Sequence, residues 1–220
     1  MSAGFQRARR PEQIEARRTA ILAAARELLA ERPVADISLR ELACRVGLAK
    51  SNVLRYFDSR EAVFLEVLDT AWTAWLDELD GALGDPAPPD PGYAREERVA
   101  GTIAATLAER RLLCELVSAM APVLERNISP EFARGFKGRA AANTERLGAL
   151  VRTRVPELSA EGARQFALGV VIVVSGAWPY ANPTDAVAAA AAEVGGVPTF
   201  ADGLAEGLTN LLAGLVARRR

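Results

Sequence analysis

Apolar positions recur at spacings of three, four and seven along most of this chain. From Glu12, the residues Ile14, Ile21, Ala25 and Leu28 share one face of a helix that Pro33 ends, while Arg17, Arg18 and Arg26 lie off that face. Ser38 is placed to cap "LRELACRV", in which Leu39, Leu42, Ala43 and Val46 keep the i, i+3, i+4, i+7 rhythm. Gly47 stands where a helix stops in a positive-φ residue. Only Leu48 and Ala49 then separate it from a second short helix over about 50–57. Asp58, with Glu61 three residues on, predicts the cap of a fourth helix running through Trp72 and Trp75 to about Leu83.

"GDPAPPDPG" (84–92) places proline wrongly for a helix or a central strand and reads as a loop. Further helical patterns follow at about 95–108, 110–126, 131–154, 160–181 and 200–217. Ser129-Pro130 and Ser159 mark starts, Pro156 a stop, and Thr199 a cap with Asp202 at its third position. "AVAAAAAEVGG" (186–196) fits either a ninth, marginal helix or a loose connection. "VVIVV" (170–174) alone suggests a strand, but its flanks are helical and nothing is available to pair with it. As a helix it is apolar all round, which predicts burial between other helices. The expected class is all-α: a basic arm over 1–11, a three-helix head over 12–60 and a helical body over 61–220.

Composition narrows the function. The 220 residues carry a net charge of −1, which by itself points to no polyanionic partner. Its distribution does: residues 1–60 hold 12 Lys and Arg against 7 Asp and Glu, and residues 61–220 hold 15 against 21. A basic head on an acidic body suits a polyanion-binding module joined to something else. An ordinary solvated N-terminal helix also fits the charge. Histidine is absent, which removes the commonest metal ligand and general base. Cys44 and Cys114 are far apart and form no CxxC pair, so no disulfide framework or zinc site is expected and a reducing cytoplasm fits. The N-terminus is polar where a signal peptide needs an apolar core. The longest apolar stretch, 166–181, falls short of the ~20 residues that span a bilayer. We therefore expect a soluble, cytoplasmic protein with no catalytic residues, cofactor, metal or membrane partner.

The stretch 38–60 carries the chemistry. Two short helices around a glycine turn describe a helix-turn-helix, with Leu39, Leu42, Val46, Leu48, Val53 and Phe57 as its small core. Arg40, Lys50, Ser51, Asn52, Arg55 and Tyr56 are then outward. Arginine and lysine can donate to guanine, asparagine can pair with adenine, and serine and tyrosine can reach phosphate oxygens. A surface helical hairpin with no DNA role shares the same periodicity.

"SLRELACRVGLAKSNVLRYFDSREAVFLEVL" (38–68) closely resembles the DNA-binding signature of the tetracycline-repressor family of bacterial regulators. The resemblance implies that Arg40 reaches a base from the second helix and that Lys50, Ser51, Asn52, Arg55 and Tyr56 form the recognition face. It implies phosphate contacts for Ser38 and Arg60, and structural roles for Gly47 and Phe57. Three positions depart from the pattern: Ala49 replaces a capping residue, Leu54 a frequent tyrosine, and Arg55 a frequent aromatic.

Members of that family are two-fold dimers, and the apolar helix around Val170 and Val174 and the last helix, with Leu204, Leu208, Leu211 and Leu215, offer ample apolar surface for a four-helix interface. The alternative is that both helices are simply core of one subunit. The family also implies a small-molecule effector that moves the fourth helix and so releases a near-palindromic operator. Trp75, Met120, Phe136, Asn143 and Trp178 stand out as pocket candidates in an alanine- and leucine-rich body, though each also suits plain core. The rivals are an enzyme, for which Glu125, Asn127, Ser129 and Lys137 show no nucleophile–base spacing, a helical adaptor that binds protein, and a regulator that is not ligand-gated or that activates.

Overall fold

Small polar side chains set where half of the helices begin. Ser38, Ser59, Ser129, Ser159 and Thr199 each accept the backbone N–H three residues on, satisfying donors that a helix start leaves open. The computed structural model describes residues 11–86, 92–194 and 199–218, and these contain ten helices and no strand. The anticipated basic arm lies outside the described residues except for Pro11, which opens the first helix.

The head comprises α1 (Pro11–Glu31), α2 (Leu39–Arg45) and α3 (Lys50–Val53). Ile21, Val34, Ile37, Leu42, Val53 and Phe57 form its buried centre. Ile14, assigned to the same face as Ile21, is instead exposed at the outer end of α1. Gly47 has φ 64°, a conformation in which a Cβ meets steric resistance, and so it turns α2 into α3 as expected. Ala49 caps α3 with no side-chain hydrogen bond.

The fourth helix, α4 (Arg60–Leu83), is shared by head and body. Its cap is Ser59, not Asp58: the Ser59 hydroxyl accepts from Ala62 N at 3.1 Å. Asp58 instead accepts a hydrogen bond from Ser129, the cap of α7. Then come α5 (Ala94–Ala108), α6 (Arg111–Ala119), α7 (Pro130–Arg154), α8 (Ala160–Ala181), α9 (Asp185–Val194) and α10 (Phe200–Ala217). The alanine-rich segment is thus helical. A π-helical turn, Met120–Leu124, extends α6. Pro122 has no N–H to offer the regular ladder, and Glu125 N reaches back five residues to the Met120 carbonyl at 3.0 Å.

In the body, α4 packs on α5, α6 and α7, while α10 lies against α5 and α8. Phe64, Trp75, Leu76 and Phe166 are fully buried there. Two expectations for α8 and α10 are corrected. The first is that α8 is not buried all round: Leu168 and Ile172 are 49% and 70% exposed. The second is that Val170, Val174, Leu204, Leu208 and Leu215 do not form an outward surface. They are buried within the chain itself because α8 turns that face onto α6, α7 and α10. Of the expected interface, Leu211 alone is partly exposed. The close approach of these helices occurs at Gly169, where a Cβ would lie 2.3 Å from the Leu211 side chain. With 22 residues, α8 is longer than the apolar stretch within it and by length and composition alone could cross a membrane; its inner face packs here as a bundle core helix does.

Candidate functional site

The recognition segment is shorter as a regular helix than its sequence suggests. After Val53 the hydrogen bonds tighten: Arg55 N donates to the Asn52 carbonyl and Tyr56 N to the Val53 carbonyl, before Phe57 closes the turn. Val53 and Phe57 point into the head core, and this leaves Lys50, Ser51, Asn52, Leu54 and Arg55 exposed, with Tyr56 half-buried. The expected recognition residues on α3 and just after it are therefore open to solvent, apart from the half-buried Tyr56. Arg40 of α2 and Lys50 of α3 line a single shallow groove with Cys44 and Ala49 between them. Ser38 caps α2, and its hydroxyl accepts from Glu41 N at 3.2 Å.

Arg60 is engaged within the chain. Its guanidinium donates to the Ile37 carbonyl at 2.6 Å and pairs with Glu61 at 2.9 Å, and its side chain is only 19% exposed. The buried Glu61 carboxylate draws the arginine inward, so Arg60 braces the start of α4 against the segment before α2. Three residues of α1 to which the sequence pattern gave no site role lie beside the recognition segment. Arg17 and Gln13 line a groove together with Tyr56. Arg18 donates to the Tyr56 carbonyl, and its guanidinium lies 4.3 Å from the centre of the Phe57 ring. The one sequence signal for the two arginines, Arg17 and Arg18, is their place in a basic stripe off the apolar face of α1.

The pocket candidates divide. Met120, Phe136 and Asn143 come together with Leu68, Asp69 and Trp72 around a cavity of about 50 Å³ between α4, α6, α7 and α8. Trp75 and Trp178 do not belong to it. Trp75 is fully buried and donates to Thr106 at 3.1 Å. Trp178 donates to Glu115 at 2.8 Å, stacks edge-to-face on Phe200, and borders a separate open groove beside α9. Cys114 belongs to the core, where burial pushes its thiol up to about 12 and makes it a poor nucleophile.

Cavity and head are joined by charged side chains. Asn143 donates to Asp69, Asp69 accepts from Arg139 at 2.6 Å, Arg139 donates to Glu66 at 3.2 Å, and Glu66 lies 3.9 Å from Arg18. Arg18 closes the series on the Tyr56 carbonyl.

Residues 69–219 match the family described as "Tetracyclin repressor-like, C-terminal domain", and residues 21–67 match "Bacterial regulatory proteins, tetR family". The chain belongs to the tetracycline-repressor family. Among curated relatives, the transcriptional regulator EthR of Mycobacterium tuberculosis is 49% identical over 53 residues, 24% of this chain and 24% of EthR. RutR of Escherichia coli is 32% identical over 80 residues, 36% of this chain and 38% of RutR. The matches thus span no more than about two fifths of those relatives. Among solved structures, FadR of Bacillus subtilis, determined with stearoyl-CoA, covers 89% of this chain and 98% of its own at a TM-score of 0.57 and 14% identity. At that identity the likeness is one of fold. The tetracycline-repressor fold thus accounts for both halves of the chain, from the helix-turn-helix to the helical body.

Proposed function

We propose that this protein is a DNA-binding transcriptional regulator, a repressor that leaves a near-palindromic operator when a small molecule occupies the body cavity. The observation that carries the reading is the exposure of Arg40, Lys50, Ser51, Asn52 and Arg55 around a buried frame, with Arg40 and Lys50 lining one groove. Lys50, Asn52 and Arg40 supply donors for base edges, and Ser38, Ser51, Tyr56 and Arg17 supply phosphate contacts. Leu54, 46% exposed, is the apolar member of that face and suits a thymine methyl.

Two further features support the mechanism. The cavity is walled by α4 and α7, and both reach the head: α4 at its first turn and α7 through Ser129 and Asp58. A ligand that parts α4 from α7 therefore strains the Asp69–Arg139–Glu66–Arg18 series that holds Tyr56. At about 50 Å³ the cavity is far below the ~300 Å³ or more of a typical ligand site, so occupancy requires the walls to move. Movement on binding is what an effector needs, since a ligand shifts an equilibrium only through its preference for one state. The exposed Leu168 and Ile172 on α8 supply the apolar face for a second copy, which would present two recognition helices about 34–36 Å apart, or somewhat more. Such a regulator works in the cytoplasm, beside the chromosome.

The test is retention of DNA fragments from around the protein's own gene by the full-length chain across a salt series. Specific retention that weakens log-linearly with salt is expected. Failure to retain any fragment of a whole-genome library, or salt-independent capture, would refute DNA regulation in favour of a protein adaptor.

A further inference from the structure

We propose that the cavity between α4 and α7 takes an uncharged, chiefly apolar ligand bearing one hydrogen-bond acceptor, received by the indole N–H of Trp72. The inference rests on the effector reading of that cavity and specifies its ligand class. The wall is mostly apolar, with Leu68, Val117, Phe136 and Val171 among its members. Its polar members besides Trp72 each have a partner within the chain, Asn143 through its Nδ2 donation to Asp69. Asp69 accepts from both Arg139 and Asn143. Thr144 donates back to the Ala140 carbonyl at 2.8 Å.

Trp72 is different. It is 8% exposed, lines the cavity, and its Nε1 is shielded from solvent with no hydrogen-bond partner. Its contact with Trp75, edge-on at 5.5 Å between ring centres, supplies no oxygen or nitrogen acceptor. A buried N–H without an acceptor is costly, and a ligand that brings one recovers that cost on binding.

Charge decides the rest of the class. No lysine or arginine lines the cavity among the described residues. An anionic ligand would enter without a counter-charge and beside the Asp69 carboxylate, and a cationic one would meet a carboxylate already neutralised by Arg139. Met120 gives the wall its adaptability: an unbranched side chain at the start of a π-helical turn can move aside without breaking a regular ladder.

The test uses full-length protein labelled at the tryptophan indole nitrogens and the methionine methyls. Trp75 and Trp178 already donate to Thr106 and Glu115, so a new acceptor acts on the Trp72 resonance, assigned with Trp72→Phe. Met120 is the single methionine besides Met1 and reports occupancy independently. The probes are 2-alkanones of four to ten carbons and the carboxylates of matched length. The expected result is that ketones move both Trp72 and Met120 while carboxylates at equal concentration move neither. Trp72→Phe should weaken the Met120 response roughly 3- to 10-fold, about the value of one hydrogen bond. Ala140→Leu, filling the cavity, should abolish the response while thermal melting confirms the fold. A silent pair of resonances across the ketones, or carboxylates bound as well or better, overturns the proposal. A ketone that binds at Trp72 yet leaves operator retention unchanged upholds the ligand class and removes the gating role instead.

Discussion

Arg18 donates from Nη1 to the Tyr56 carbonyl at 2.6 Å while its guanidinium plane lies over Phe57. One side chain of α1 thereby fixes the exit of the recognition segment, at the point where α3 has given up its regular helix. The same guanidinium faces Glu66 of α4. The end of the DNA-facing segment and the helix shared with the body are thus held by a single cation.

Arg18→Ala should therefore weaken operator binding without removing any group that touches a base. A charge-assisted hydrogen bond and a cation–π contact are each worth about 1–2 kcal/mol, and they overlap here. We expect a roughly tenfold rise in Kd, about 1.4 kcal/mol, measured by fluorescence anisotropy with the operator in hand. An unchanged Kd would show that Tyr56 and the recognition segment hold their position without Arg18.

The basic and polar side chains of the site separate by experiment. Lys50→Ala or Asn52→Ala should cost ~1–3 kcal/mol in operator binding and relax sequence preference. Arg60→Ala should act on stability instead, because it strips Glu61, 7% exposed, of its counter-charge and the Ile37 carbonyl of its donor. A lowered melting temperature with little change in sequence preference is the expected pattern. If Arg60→Ala melted like the parent and lost affinity for all sequences alike, Arg60 would be a phosphate contact after all.

Local chemistry makes the helix ends legible from their residues alone. Ser38, Gly47, Ser129, Ser159 and Thr199 behave as their residue types require, because a cap or a positive φ depends on neighbours within a few positions. Expectation and structure part where a distant partner decides. An arginine opening a helix looks the same whether it meets a phosphate or, as Arg60 does, a carbonyl 23 positions back. Asp58 and Ser59 are both good caps, and Asp58 is drawn off by Ser129 of α7. Trp72 and Trp75 lie one turn apart on α4, and only the packing of α6 and α7 puts the first at the cavity and that of α5 the second against Thr106. Periodicity shows that α8 and α10 bury apolar faces but not that those faces bury one another, leaving Leu168 and Ile172 outside.

Acid should loosen α2 through Glu41. The Ser38 backbone N–H, then its hydroxyl, then Arg32 hold the Glu41 carboxyl below its ordinary value of 4.5. A carboxyl depressed in the folded state stabilises it fully above that ordinary value, and the contribution disappears as pH falls through the lowered one. Glu41→Gln keeps a capping-box acceptor but cannot titrate. Following the Ser38 amide by NMR from about pH 7 to 3, the parent should show an acid transition over the lower part of this range and Glu41→Gln should be flat. Identical profiles would place the titrating group elsewhere.

The outer face of α8 yields the last prediction. Leu168 and Ile172 are one helical turn apart and exposed, while the neighbouring Val170 and Val174 are already occupied inside the chain. An isolated exposed leucine needs no explanation, but two large apolar side chains in register on a helix whose other face is packed make a strip that a second copy can cover. A two-fold interface doubles the effect of any substitution on it, since each change occurs twice. Ile172→Glu should therefore turn a dimer into monomers in sedimentation equilibrium while leaving the melting of the fold nearly intact, because the side chain is 70% exposed within one chain. Operator affinity should fall steeply with it, since a monomer reads one half-site only. Val174→Glu provides the contrast: at 2% exposure it strikes the α8 core and should unfold the body. A dimer that survives Ile172→Glu would move the contact between copies to another face and leave this strip without a partner.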